Sequence, residues 1–117
     1  MKLKEIVDIL EASVLAGDER LDNDFSTGGA SDLMSDILAG VAEGCVLLTG
    51  LTTVQAIRTA VVCGAGAVVF VRDKIPPPEV VEMARDENIP LLTTPFSMFV
   101  SCGRLHAGGL TGLNGAK

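Results

Sequence analysis

Asn88-Ile89-Pro90-Leu91-Leu92-Thr93-Thr94-Pro95-Phe96-Ser97 is a short apolar run that turns directly into the start of a helix. Thr94 is placed to cap that helix with its hydroxyl. Pro95 suits the first helical position, where no N–H is needed and φ is already helical. Such a unit sets Thr93, Thr94 and Ser97 beside a ring of unpaired helix N–H groups, and in an open parallel sheet the carboxyl edge is where ligands bind. Hydroxyls and backbone dipoles are on offer there, with no acid, base or nucleophile beside them. That points to binding or association and away from catalysis.

Working outward, the same strand-then-helix plan recurs. Cys45-Val46-Leu47-Leu48-Thr49 is a continuous apolar run of strand length. After it, Thr52 and Gln55 have the spacing of a capping box, Val54, Ile57, Val61 and Val62 mark a third helix, and Gly64 stops it. Residues 67–71 form another uninterrupted apolar run, residues 72–77 a Pro-rich turn, and Pro78 opens a fourth helix carrying Val80, Val81 and Met83. Upstream, Leu3, Ile6, Val7 and Leu10 recur at helical spacing, so residues 2–11 read as an amphipathic first helix, and Ser13-Val14-Leu15-Ala16 as a short strand. Residues 18–29 read as a polar loop long enough to be functional. Ser31 caps a second helix with Leu33, Ile37, Leu38 and Val41 on one face and Asp32 in its first turn, where the dipole favours a negative charge; Gly44 closes it. The last helix runs from residue 95 to about 105.

Strands that lack polar alternation and are separated by helices mean a sheet covered on both faces. The expected fold is therefore α/β, a three-layer α/β/α sandwich on a mainly parallel sheet of about four strands. One domain spans residues 1–107, and the Gly-rich residues 108–117 are expected to be a flexible tail. Leu48 and Val69 are expected in the central strands, with Leu33, Ile37, Ile57 and Val61 covering them.

Composition narrows the function. Hydrophobic residues make up 48% of the 117, and only 21% are charged, which leaves little polar surface for a free monomer and favours a homodimer. The last helix, with Phe96, Met98, Phe99 and Val100 around its circumference, is the expected interface. Fifteen acidic against nine basic residues, with no Trp or Tyr and four Phe, repel nucleic acid and offer few rings for stacking bases. The longest uncharged runs fall short of the ~20 residues a membrane helix needs, and residues 1–11 lack the apolar centre of a signal peptide. Three cysteines, an odd number, fit reduced thiols in a cytoplasmic protein.

No motif supplies catalysis. Gly64-Ala65-Gly66 follows a helix and opens a strand, the reverse of a dinucleotide loop, and no Walker loop is present. Cys102 and His106 lie four apart on the last helix, but two ligands do not close a metal site unless Cys45, Cys63 or a second subunit converges; packing and a surface histidine are the preferred reading, and no metal or other cofactor is expected. The hydroxyls of Ser31, Thr52, Thr53, Thr94 and Ser97 line the carboxyl edge, where Asp32 should approach Thr49 and its successors. Asp32, Gly50, Thr52, Thr53, Thr94 and Ser97 are therefore the candidate site for a small anionic ligand, a nucleotide or a phosphometabolite. Asp32 disfavours bare phosphate and can accept a hydrogen bond from a ribose or amine.

Ser31-Asp32-Leu33-Met34-Ser35-Asp36, Val46-Leu47-Leu48-Thr49, the strand at 66–71, and residues 88–94 with the helix after them together resemble the DRTGG domain, over roughly residues 30–105. That domain is also found beside the catalytic domain of HPr kinase/phosphorylase relatives and inserted in phosphotransacetylases and CBS-domain proteins. The namesake Asp-Arg-Thr-Gly-Gly string is absent, with local echoes at Asp24-Phe25-Ser26-Thr27-Gly28-Gly29 and Thr49-Gly50-Leu51-Thr52-Thr53. The resemblance implies a regulatory or assembly module with an unidentified protein partner, and it brings no catalytic residues.

Overall fold

The computed structural model describes residues 1–40 and 43–112. The elements are α1 (Leu3–Leu10), β1 (Ser13–Ala16), β2 (Gly28–Ala30), α2 (Met34–Gly40), β3 (Val46–Thr49), α3 (Val54–Cys63), β4 (Ala67–Phe70), α4 (Pro78–Asp86), β5 (Leu91–Thr93) and α5 (Met98–Ala107). They build a five-stranded sheet in the order β1-β5-β4-β3-β2, in which β2 to β5 are parallel and β1 is antiparallel to β5.

Strand side chains alternate between two cores. Val46, Leu48, Val69 and Leu92 face α1 and α5, while Leu47, Val68, Phe70 and Leu91 face α2, α3 and α4. Both faces are apolar because both are covered, which is why the strands show no polar alternation. Each fully buried Val, Leu or Phe side chain contributes roughly 1.5–3 kcal/mol, so these three short central strands dominate the core. Leu48 and Val69 lie among them, as expected.

The parallel strands step across the sheet in chain order, so the helices after β2, β3 and β4 share one face. The chain after β5 crosses to the other face and forms α5 beside α1. Adjacent strands whose helices leave to opposite faces open a crevice between their carboxyl ends, and here that crevice lies between β4 and β5.

Several local expectations shift. The sheet has five strands where about four were expected, because Gly28–Ala30, which begins inside the segment read as a polar loop, pairs with β3 in register Gly29 to Leu47. Phe25, from the same loop, is buried against Leu3 and Val46 in one core cluster. Helix α2 begins at Met34, leaving Leu33 62% exposed instead of covering the sheet, while Ile37 and Ile57 are fully buried as expected and Val61 is partly so. Val41, expected on the inner face of that helix, lies outside the described residues. Thr53, not Thr52, caps α3, its hydroxyl accepting from the Ala56 N–H at 3.2 Å, and Gly64 ends the helix at φ +75° as expected. Ser97, not Thr94, caps α5, accepting from the Val100 N–H at 3.2 Å. The helix starts late because the Thr94 and Phe96 carbonyls accept from the Asp73 and Arg72 N–H groups instead. The expected loose tail does not begin at Gly108. Leu110 is buried in the core, and Thr111 exchanges backbone hydrogen bonds with Ser26 and Gly28. Residues 113–117 of that tail lie outside the described residues.

Candidate functional site

The carboxyl edge is built around Gly50, the residue that follows β3. Its N–H donates to the Asp32 carboxylate at 2.6 Å, and its carbonyl accepts from the Lys74 ammonium at 2.7 Å. The Thr49 hydroxyl reaches the same Asp32 oxygen at 3.4 Å and accepts from the Leu51 N–H. Arg72 leans over the group, its Nη2 3.9 Å from Asp32, with both side chains about half exposed. A Cβ at position 50 would lie 2.7 Å from Arg72 Nη2 and 3.1 Å from the Asp32 carboxylate, so the absence of a side chain is what lets these charges meet.

An ion pair this exposed and this long is worth at most about 1 kcal/mol, so the Arg72 guanidinium can exchange Asp32 for another anion at small cost. Asp32 is held more firmly, since a charge-assisted bond to a backbone N–H is about twice as strong as a neutral one. Its carboxylate already fills the place at Gly50 where a bare phosphate would seek an N–H.

Arg72 and Asp73 both adopt left-handed backbone, at φ 64° and 56°. Side chains resist this conformation, at a cost on the order of 1 kcal/mol each. Three hydrogen bonds hold it: the Arg72 N–H to the Phe96 carbonyl at 2.8 Å, the Asp73 N–H to the Thr94 carbonyl at 2.8 Å, and the Thr93 hydroxyl to the Lys74 carbonyl at 2.8 Å. These bonds stitch the 72–74 segment across the crevice between β4 and β5. The position where a ligand ordinarily enters a parallel sheet is thus occupied by the chain itself, and the cations are turned toward Gly50.

The six residues singled out from the sequence therefore divide. Asp32 and Gly50 meet in one hydrogen bond, and Thr52 and Thr53 follow on the connection to α3. Thr94 is fully buried; its hydroxyl donates to the Leu10 carbonyl at 2.6 Å and accepts from the Phe96 N–H at 3.3 Å, tying β5 to α1. Ser97 belongs to α5 on the other face. Arg72 and Lys74 are absent from that set, although they directly follow β4 at the same edge. Position after a strand, the signal that selected Thr49-Gly50, was available for them too.

Cys102 and His106 both line a cavity of about 460 Å³ between α5 and the β2 edge. Burial raises the Cys102 thiol above its ordinary value, which favours the protonated form. No group of three or more His, Cys, Asp or Glu placed to hold a metal occurs among the described residues. No helix among them is long and apolar enough to cross a membrane.

No family model matches the chain, and no curated protein matches it. Among solved structures it is similar to the CBS and DRTGG domains of the regulatory region of the Clostridium perfringens pyrophosphatase, determined with the activator diadenosine tetraphosphate. The TM-score is 0.73 at 18% identity, over 97% of this chain and 51% of that one. This chain spans about half the length of that neighbour, and at such identity the likeness is one of fold: the chain has a DRTGG-like α/β fold.

Proposed function

We propose that this chain is a non-catalytic regulatory module that senses a nucleotide at the Asp32–Gly50–Arg72 corner. The observation that carries this reading is the Asp32 carboxylate held on the Gly50 N–H at 2.6 Å beside an Arg72 guanidinium paired with it only loosely, at 3.9 Å. A ligand matching both must bring an anionic group for Arg72, with the Thr52 and Thr53 turn at the α3 N-terminus behind it. It must also bring a hydroxyl or amine for Asp32. A ribose phosphate has both; inorganic phosphate has one. The regulatory region that shares this fold was determined with a dinucleotide activator, which adds weight to the same class of ligand. Three cysteines, an odd number, suit a reducing compartment, the cytoplasm.

The test is a thermal-shift and calorimetric panel of mono- and dinucleotides, diadenosine tetraphosphate first, with inorganic phosphate as comparator. A ligand at 100 times its Kd adds about 2.7 kcal/mol, which raises the melting temperature of a domain this size by roughly 10 °C or more. Arg72→Ala removes the shift, and Asp32→Asn narrows the preference for nucleotide over phosphate. Binding unchanged in both variants places the ligand elsewhere, and no shift with any nucleotide overturns the reading.

Self-association is a second part of the proposal, favoured by α5. Phe99 is 87% exposed and Val100 41%, a large apolar pair on one helix. A twofold dimer through this helix would bury both.

A further inference from the structure

Among the described residues, α2, α3 and α4 cover one face of the sheet, whereas only α1 and α5 cover the other. The thinner layer stops short of β2, and the 460 Å³ cavity lies in that gap. Its helical wall includes Phe99, Cys102, Gly103 and His106, positions i, i+3, i+4 and i+7 of α5, which form one stripe, with Leu105 beside them. At the centre, Gly103 has nothing within 4 Å of where a Cβ would stand, so another helix can come close. The side chains of Cys102 and His106 make no hydrogen bond or ion pair among the described residues.

A sulfur and an imidazole one turn apart on a helix are two of the four ligands of a tetrahedral zinc site. Among the described residues, no third ligand joins them. We propose that Cys102 and His106 are a zinc half-site, completed by the same pair from a second copy docked through the α5 stripe. The proposal rests on the self-association reading above, because a twofold axis repeats the pair and supplies two sulfurs and two nitrogens. Each Cys102 thiol releases its proton to solvent as its sulfur binds the cation. Two thiolates then cancel the charge of Zn²⁺, and a neutral site suits a groove with an apolar wall.

The full chain, stripped with EDTA, is titrated with Co²⁺ and then Zn²⁺ while its mass is followed by sedimentation. The expected result is one metal per two chains, thiolate-to-cobalt charge transfer with tetrahedral visible bands, and a dimer that tightens with metal. Cys102→Ser and His106→Gln abolish the spectrum and the stoichiometric binding. Cys63→Ser, whose thiol bonds the Ile37 carbonyl on the other face, leaves them intact, and circular dichroism verifies that each variant is folded. A dimer that forms without metal and binds none overturns the zinc site and leaves self-association standing. A chain that stays monomeric overturns both, and one metal per monomer overturns closure by a second copy.

Discussion

At the scale of single residues, two glycines show how a missing side chain places other groups. Gly17 sits at φ +90°, and a Cβ there would lie 2.7 Å from Pro90 Cα, where backbone meets backbone and nothing can give. Gly17→Ala should therefore lower stability by roughly 1–3 kcal/mol, read from the urea midpoint. Gly50 differs in kind. A Cβ there meets the far end of Arg72, a flexible side chain, so Gly50→Ala should cost less than Gly17→Ala while separating Arg72 from Asp32. If Gly50→Ala keeps full nucleotide affinity, the corner is not the site. The equal-loss outcome, with both variants destabilised alike, contradicts the distinction between a rigid and a flexible neighbour.

At the scale of elements, Thr94 and Ser97 are three residues apart and do unlike work. Ser97 caps an exposed helix end, and Ser97→Ala should cost about 1 kcal/mol. Thr94 is buried and satisfies the last carbonyl of α1, so Thr94→Val strands an acceptor inside the protein at about 1–3 kcal/mol. Amide exchange separates the two: Ser97→Ala should loosen the first turn of α5 alone, whereas Thr94→Val should raise exchange in both α1 and β5. The α1 to α5 contact has further ties, since Arg104 donates to the Ile9 carbonyl at 3.0 Å and lies 4.1 Å from the Phe96 ring centroid.

At the scale of the whole molecule, the sheet is a single block shared by two cores, and a charge in it has no solvent to reach. Val69→Asp buries an unpaired carboxylate whose cost rivals the ~5–15 kcal/mol by which domains of this size are stable. The variant should be unfolded by circular dichroism; a soluble, cooperative melt would refute the assignment of Val69 to the core. Phe99→Ser makes the opposite prediction. The ring is 87% exposed, so stability should change by no more than about 0.5 kcal/mol, while self-association measured by sedimentation should weaken.

The sequence by itself determined what depends on neighbours along the chain. Val46-Leu47-Leu48, Val68-Val69-Phe70 and Leu91-Leu92 declare buried parallel strands by their unbroken apolar character, and Gly64 declares a helix stop by its free backbone. The α/β class follows from those runs and their spacing. Choices between equivalent neighbours were not legible: Thr52 and Thr53 offer the same hydroxyl, and only the tertiary path of the chain selects Thr53. Gly28–Ala30 has no strand propensity and is a strand only because β3 presents an open edge to it. Thr94 reads as a helix cap until the Asp73 N–H takes its carbonyl and the Leu10 carbonyl takes its hydroxyl. The candidate site depends most on tertiary structure. Asp32, Gly50, Arg72 and Lys74 come from three separate connections, and their meeting is fixed by strand order and by a left-handed backbone that long-range hydrogen bonds alone sustain.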